Sequence, residues 1–237
     1  MLIDAHSHAY DLPRKELEKY RSMRIVSVSE DLESSLKTLS IAEEFPNIIP
    51  FVGVHPWRLG EVSGSEVEEV LRLVEKRDDV KGVGEVGLDR KIEESYERQK
   101  EVFKKFCSLA SEYDLPVNVH ARAAWREALE ILEKLEVEKA VIHWYSGPIE
   151  LLEEIAQSGY MITINPAVKI QERHRKVLEE AELSIILTES DSPYRYRGLD
   201  LKPEMIRDLI KFISEVKKID EEALENVIAS NFRRLIR

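Results

Sequence analysis

The chain opens on Leu2-Ile3-Asp4-Ala5-His6-Ser7-His8, an apolar stretch of strand character that ends in two histidines, where a dinucleotide-binding sheet would carry a glycine-rich turn. Side chains two apart on a strand point to one face, so His6 and His8 can share one interior surface. Seven further apolar runs follow, at residues 24–29, 48–55, 80–88, 116–120, 140–144, 160–165 and 184–191. Segments with helical periodicity separate them. In the clearest, residues 97–112, Val102, Phe103, Phe106, Leu109 and Ala110 fall on one stripe and Lys and Glu on the other. Strand then helix, repeated eight times, predicts parallel strands joined by right-handed crossovers. Near-continuous apolar strands such as Ile48-Ile49-Pro50-Phe51-Val52 suit a sheet covered by helices. The expected fold is α/β, a TIM-like (β/α)8 barrel formed by residues 1–237 as a single domain and closed by a helix at about 221–234. The rival, an open doubly wound sheet, is disfavoured by the His-Ser-His ending of the first strand.

Composition agrees with a buried core and narrows the partners. Of 237 residues, 43% are hydrophobic, and 35 basic against 46 acidic side chains leave a net charge of −11. Such a charge argues against broad electrostatic capture of nucleic acid or anionic membrane, but leaves room for a local basic rim. The lone cysteine, Cys107, excludes an internal disulfide. No apolar run approaches the roughly 18 residues of a membrane span, and no secretory leader is recognisable. The expectation is a cytoplasmic protein with no membrane partner and no obligate protein partner.

Five of the six histidines, His6, His8, His55, His120 and His143, fall at or just before the C-terminal end of an expected strand. Taken singly, each has an ordinary explanation as a hydrogen-bonded core or surface residue. Glu85, in Val83-Gly84-Glu85-Val86-Gly87-Leu88-Asp89, is a carboxylate on an apolar strand, and its flanking glycines permit close approach. Burial there demands a cation or strong donors, of which a strand-end arginine is one option. Glu189 and Asp191 are placed on one face after the eighth strand, although Asp191 could simply cap a helix before Pro193. Their joint placement outweighs these separate readings. His6, His8, Glu85, His120, His143 and Asp191 converge on the C-terminal face, where barrel active sites lie. Six ligands suit two divalent ions bridged by Glu85, about 3.5–4 Å apart, with a shared water as nucleophile. Imidazole with carboxylate admits Zn or Mn, and phosphoryl chemistry admits Mg.

The loops beyond these strands carry all three tryptophans, Trp57, Trp125 and Trp144, with Tyr10, Tyr145, Tyr194 and Tyr196. Arg58, Arg90, Lys91, Arg122, Arg126, Lys169, Arg173, Arg175, Arg195 and Arg197 share that rim, with His174 among them in an expected helix. Aromatic faces can stack on unpaired bases and arginines can meet phosphate oxygens. The same residues can equally pack under loops or pair with glutamate. As substrate contacts the reading selects Arg122, Trp144, Tyr194 and Arg195.

An ordered set of fragments resembles the TatD family of metal-dependent deoxyribonucleases, within the amidohydrolase superfamily. It comprises Ile3-Asp4-Ala5-His6-Ser7-His8, Gly53-Val54-His55-Pro56, Gly84-Glu85-Val86-Gly87-Leu88-Asp89, residues 99–103, Leu115-Pro116-Val117 with His120-Ala121-Arg122, His143-Trp144-Tyr145-Ser146-Gly147 and Glu189-Ser190-Asp191-Ser192-Pro193-Tyr194. The resemblance implies a TIM barrel, a divalent-metal site and hydrolysis of DNA phosphodiester bonds, often from a 3′ single-stranded end. By position it implies that His6, His8 and Asp191 ligate one metal, His120 and His143 the other, and that Glu85 bridges. His55 and Glu189 would then be catalytic residues near the scissile phosphate, with Glu85 and Asp191. Arg90, Ala123, Trp144-Tyr145 and Asn165-Pro166-Ala167-Val168 depart from the usual pattern and put the substrate in question. The alternative is a small-molecule amidohydrolase, lactonase or phosphoesterase using the same centre. A non-enzymatic binding scaffold is disfavoured by the intact ligand set.

Overall fold

The computed structural model describes all 237 residues. The apolar runs pair as eight parallel strands in sequential order: β1 (Ile3–Ser7), β2 (Arg24–Ser27), β3 (Ile48–Val52), β4 (Gly82–Asp89), β5 (Val117–Arg122), β6 (Ala140–Ile142), β7 (Met161–Ile164) and β8 (Ile186–Thr188). Helices α1 (Arg14–Leu17), α2 (Leu32–Glu44), α3 (Gly64–Lys76), α4 (Tyr96–Glu112), α5 (Trp125–Lys134), α6 (Leu152–Gln157), α7 (Glu172–Glu180) and α8 (Ile206–Lys217) each follow one strand, and α9 (Glu221–Leu235) packs against β8 and β1. This is the TIM-like α/β barrel expected of the strand–helix rhythm. Val, Ile, Leu and Phe side chains of strands and helices merge into one cluster of 69 buried residues. At about 25 cal/mol per Å² of buried apolar surface, that cluster is the main stabilising contribution. Side-chain caps fix where helices start: Asp31 and Ser34 form a reciprocal capping box on α2, and the Asp220 carboxylate accepts from Glu222 and Ala223 N–H groups on α9. No helix is long and apolar enough to cross a membrane.

Two features of the barrel shape its C-terminal mouth. Strands β1, β3, β6 and β8 end before their apolar runs do, so His8, His55, His143, Glu189 and Asp191 stand in loops just past a strand end, while His6, Glu85 and His120 lie on strands. The register also shifts in β1 between Asp4 and Ser7 and in β4 between Val83 and Val86. Such irregularities re-aim side chains near active sites. Between β8 and β1, closure relies on a set of cross-seam bonds: Thr188 Oγ1 donates to the Ile3 carbonyl (2.6 Å), and the Ser190 N–H donates to Asp4 Oδ1 (2.8 Å). The Asp191 N–H donates to the His6 carbonyl (3.0 Å) and the His8 N–H to the Ser192 carbonyl (2.7 Å). Beyond β8 a short antiparallel hairpin, β9 (Arg195–Tyr196) with β10 (Leu199–Asp200), stands over the mouth.

Candidate metal centre

Glu85 organises the mouth. A Cβ on Gly84 would lie 2.7 Å from Asn118 Cβ, and one on Gly87 would lie 2.0 Å from the His120 carbonyl oxygen. The flanking glycines therefore serve the close approach of β4 to β5. Around Glu85 Oε1 stand His120 Nδ1 at 2.9 Å, His55 Nε2 at 3.0 Å and His143 Nε2 at 3.0 Å. Around Oε2 stand His6 Nε2 at 3.4 Å and His8 Nε2 at 3.5 Å, and both face Asp191 Oδ1 at those same distances. Two groups of side chains thus share one carboxylate.

The donor set fits divalent cations. Metal–ligand bonds of about 2.0–2.2 Å place neighbouring ligand atoms about 3.0–3.4 Å apart, the spacing found here. His6 Nε2 is buried and has no hydrogen-bond partner, although it points between two carboxylates. Burial opposes ionisation of Glu85, yet His55, His143 and His6 hold it well below the usual carboxylate range. Asp191 is likewise held low against its burial, by His6 and His8. Burial and the neighbouring His6 oppose protonation of His143, but Glu85 and Glu189 raise it to about 9. The two central carboxylates remain ionised and draw positive charge to the mouth.

Two of the rings, His6 and His120, are held from behind, as metal-ligating histidines are, while His8 and His143 have a carboxylate at longer range. His6 Nδ1 lies 2.8 Å from Asn118 Oδ1, and the Asn118 amide donates to the Ala5 carbonyl at 3.0 Å. His120 Nε2 faces Asp89 Oδ2 at 3.3 Å. His8 Nδ1 lies 3.6 Å from Glu30, and His143 Nδ1 lies 3.7 Å from Glu189 Oε2. Glu189 itself accepts from Thr163 Oγ1 (2.5 Å) and Asn165 Nδ2 (3.1 Å). His55 differs: its Nδ1 accepts the Trp57 N–H at 3.1 Å, so the proton of the neutral ring sits on Nε2, toward Glu85. Burial pushes His55 down to about 4, with Glu85 opposing, which keeps that ring neutral.

Above the carboxylate lies a cavity of about 270 Å³ with Trp57, Trp125, Trp144 and Tyr194 in its walls. Trp144 is fixed by its Nε1–H bond to Gln171 Oε1 (2.8 Å) and by edge contacts with Tyr194 and Tyr196. Arg122 is the one Lys or Arg in the lining.

His55, expected as a catalytic residue beside the ligand groups, stands with His120 and His143 around Glu85 Oε1. Several other sequence expectations need correction. Glu189 and Asp191 both turn into the mouth, from a loop past β8 and not from the strand itself: Glu189 reaches β7 and His143, and Asp191, with a left-handed φ of 55°, reaches His6 and His8. Arg195 lies outside the cavity lining, its side chain 76% exposed and paired with Asp200. Most rim arginines are engaged: Arg58 with Asp31 and Glu61, Arg90 with Glu127, Arg126 with Glu154, Arg175 with Glu179. His174 is no rim residue but fully buried, its Nδ1 bonded to the Tyr145 carbonyl and its Nε2 accepting the Asn165 N–H. Glu30, Asp89, Asn118 and Gln171 were not singled out from sequence. For Asn118, a signal existed, since it precedes His120 by two residues and so shares its face.

A TIM-like barrel whose mouth gathers five histidines and two carboxylates defines a metal-dependent hydrolase. The TatD related DNase family model matches residues 3–237, and the chain belongs to that family. It is 33% identical over 240 residues to an uncharacterized metal-dependent hydrolase of Methanocaldococcus jannaschii, covering 97% of this chain and 94% of that protein. It is 27% identical to the Homo sapiens protein named deoxyribonuclease TATDN3, covering 99% of this chain and 94% of that one. A solved TatD homolog from Escherichia coli superposes with a TM-score of 0.90 at 24% identity, covering 99% of this chain and 97% of the other, a likeness of fold.

Proposed function

We propose that the protein is a two-metal deoxyribonuclease that removes nucleotides from the 3′ end of single-stranded DNA. The observation that carries this reading is the division of imidazoles between the two oxygens of Glu85, beneath an aromatic cavity of about 270 Å³. That volume lies at the small end of ligand pockets, about 300–1,000 Å³, and suits one terminal nucleotide rather than a duplex.

In this reading His6, His8 and Asp191 hold one cation, His120 and His143 the other, and Glu85 bridges. Cations bound there supply Lewis-acid activation of water and of the phosphoryl group. Four imidazole ligands favour Mn or Zn ahead of Mg. His55 keeps its proton on Nε2 and serves as a hydrogen-bond donor to a phosphoryl oxygen, a role its bond from the Trp57 N–H supports. Glu189, fixed by Thr163 and Asn165, orients His143. Arg122 takes the phosphate, while Trp144 and Tyr194 stack on the base. Arg195, outside the cavity, meets at most a more distant phosphate.

The test follows 3′- and 5′-labelled single-stranded DNA with added Mn, Zn or Mg, beside a chelated control and Glu85→Ala. A metal-dependent ladder that begins at the 3′ label and vanishes in the variant supports the reading. Intact strands under every metal would remove DNA as the substrate.

A further inference from the structure

We propose that Asp89 is a positioning residue that couples the cation ligand His120 to the wall of the substrate cavity, so that cation occupancy and nucleotide binding reinforce one another. The inference rests on the metal-dependent reading of the mouth given above.

Asp89 ends β4, four residues beyond Glu85, and is fully buried. Its backbone N–H donates to Gln99 Oε1 at 2.7 Å, and the Gln99 amide is held in turn by Ser95 Oγ at 3.1 Å and the Ile92 carbonyl at 3.3 Å. Its Oδ1 accepts the Lys91 N–H at 2.9 Å. The carboxylate is therefore fixed in place, with Oδ2 directed at the mouth. There it accepts the Trp57 Nε1–H at 2.6 Å, faces His120 Nε2 at 3.3 Å, and lies 3.8 Å from the Arg122 guanidinium. Asp89 and Arg122 are also register partners in the β4–β5 ladder, so backbone pairing sets that last separation.

Only an acceptor-only group can satisfy these donors together. A neutral imidazole has one ring proton. With the proton on Nε2 toward Asp89, His120 turns the Nδ1 lone pair toward Glu85 and the cation position. The same oxygen fixes the indole of Trp57, which is 41% exposed, lines the cavity and contacts His120 edge-on. Moving the carboxylate therefore disturbs a cation ligand and a cavity wall at once. An asparagine cannot replace it: its NH2 group must face either the Lys91 N–H or the Trp57 and His120 N–H groups, donor against donor.

The test titrates Mn or Zn into chelator-stripped wild type, Asp89→Asn, Trp57→Phe and Glu85→Ala. Calorimetry reads cation binding, tryptophan emission reads the wall, and circular dichroism reads the fold. Asp89→Asn is expected to weaken binding at one cation position by about 10–100-fold, the usual effect of losing an outer partner. Wild type is expected to change its emission on cation binding, and Trp57→Phe to lose most of that change while retaining cation affinity. Wild-type affinity and emission response in a folded Asp89→Asn would overturn the inference. So would an identical emission response in wild type and Trp57→Phe, an outcome that does not depend on whether Asp89→Asn folds. If folded wild type binds no more cation than Glu85→Ala, the reading of the mouth itself falls.

Discussion

The floor of the mouth and its rim are built on different principles. On the floor, the side chains around Glu85 are buried or nearly so, and several have a partner behind them: Asn118 for His6, Asp89 for His120, Thr163 and Asn165 for Glu189. At the rim, charged side chains are exposed and engaged with one another, as in Arg195 with Asp200 or Arg126 with Glu154. Water screens such pairs, and each contributes little. The floor can therefore hold a geometry to a fraction of an ångström, whereas the rim can change partners at small cost. In the proposed reading, chemistry belongs to the first region and substrate preference to the second.

If that division holds, the largest effect comes from the floor. Glu85→Ala should reduce turnover by at least about 10²–10³-fold, the scale of removing one preorganised electrostatic contributor, with the melting temperature measured alongside to separate chemistry from folding. His174 sits at the boundary, behind the Trp144–Tyr145 loop and bonded to the Tyr145 carbonyl and the Asn165 N–H. Burial pushes it from an ordinary 6.5 down to about 4, so the unfolded chain binds the extra proton between those values. Its contribution is fully present above pH 6.5 and is lost as pH falls toward 4, about 3 kcal/mol in all. Urea unfolding across that window should show a smaller slope with pH in His174→Gln. Trp144→Ala should raise KM by about tenfold with kcat little changed, matching the roughly 1–3 kcal/mol of one base stack; an equal fall in kcat would move Trp144 into the floor. Arg195→Ala should change kcat/KM by less than about twofold, since removing an exposed paired charge costs about 0.5 kcal/mol or less. A larger, salt-dependent loss would make the hairpin part of the substrate path.

The same contrast explains how much was legible in the sequence. Strand periodicity depends on alternation and burial, both local, and the eight runs reappear as eight strands. The histidines at strand ends were legible for the same reason, since topology alone sends the C-terminal ends of parallel strands to one mouth. Glu189 and Asp191 were legible as acids of the mouth, but their separate partners were not, because β8 ends at Thr188 and Asp191 has a left-handed φ. His174 was misplaced, and the choice between phosphate contact and ion pairing for the rim arginines stayed open, because their environment is set by residues elsewhere in the chain: Tyr145 for His174, Glu154 for Arg126, Asp200 for Arg195. No spacing rule reports such partners. Asp89 was within reach as the second carboxylate on β4, but its link to Trp57 spans 32 residues and appears only in three dimensions.

The seam between β8 and β1 joins the most distant parts of the barrel in chain order. His6 and His8 precede their carboxylate partner Asp191 by 185 and 183 residues. A nascent or truncated barrel ending before Thr188 has neither the bond to Ile3 nor the acid facing those two imidazoles. Closing the barrel and bringing an acid to His6 and His8 are therefore one event.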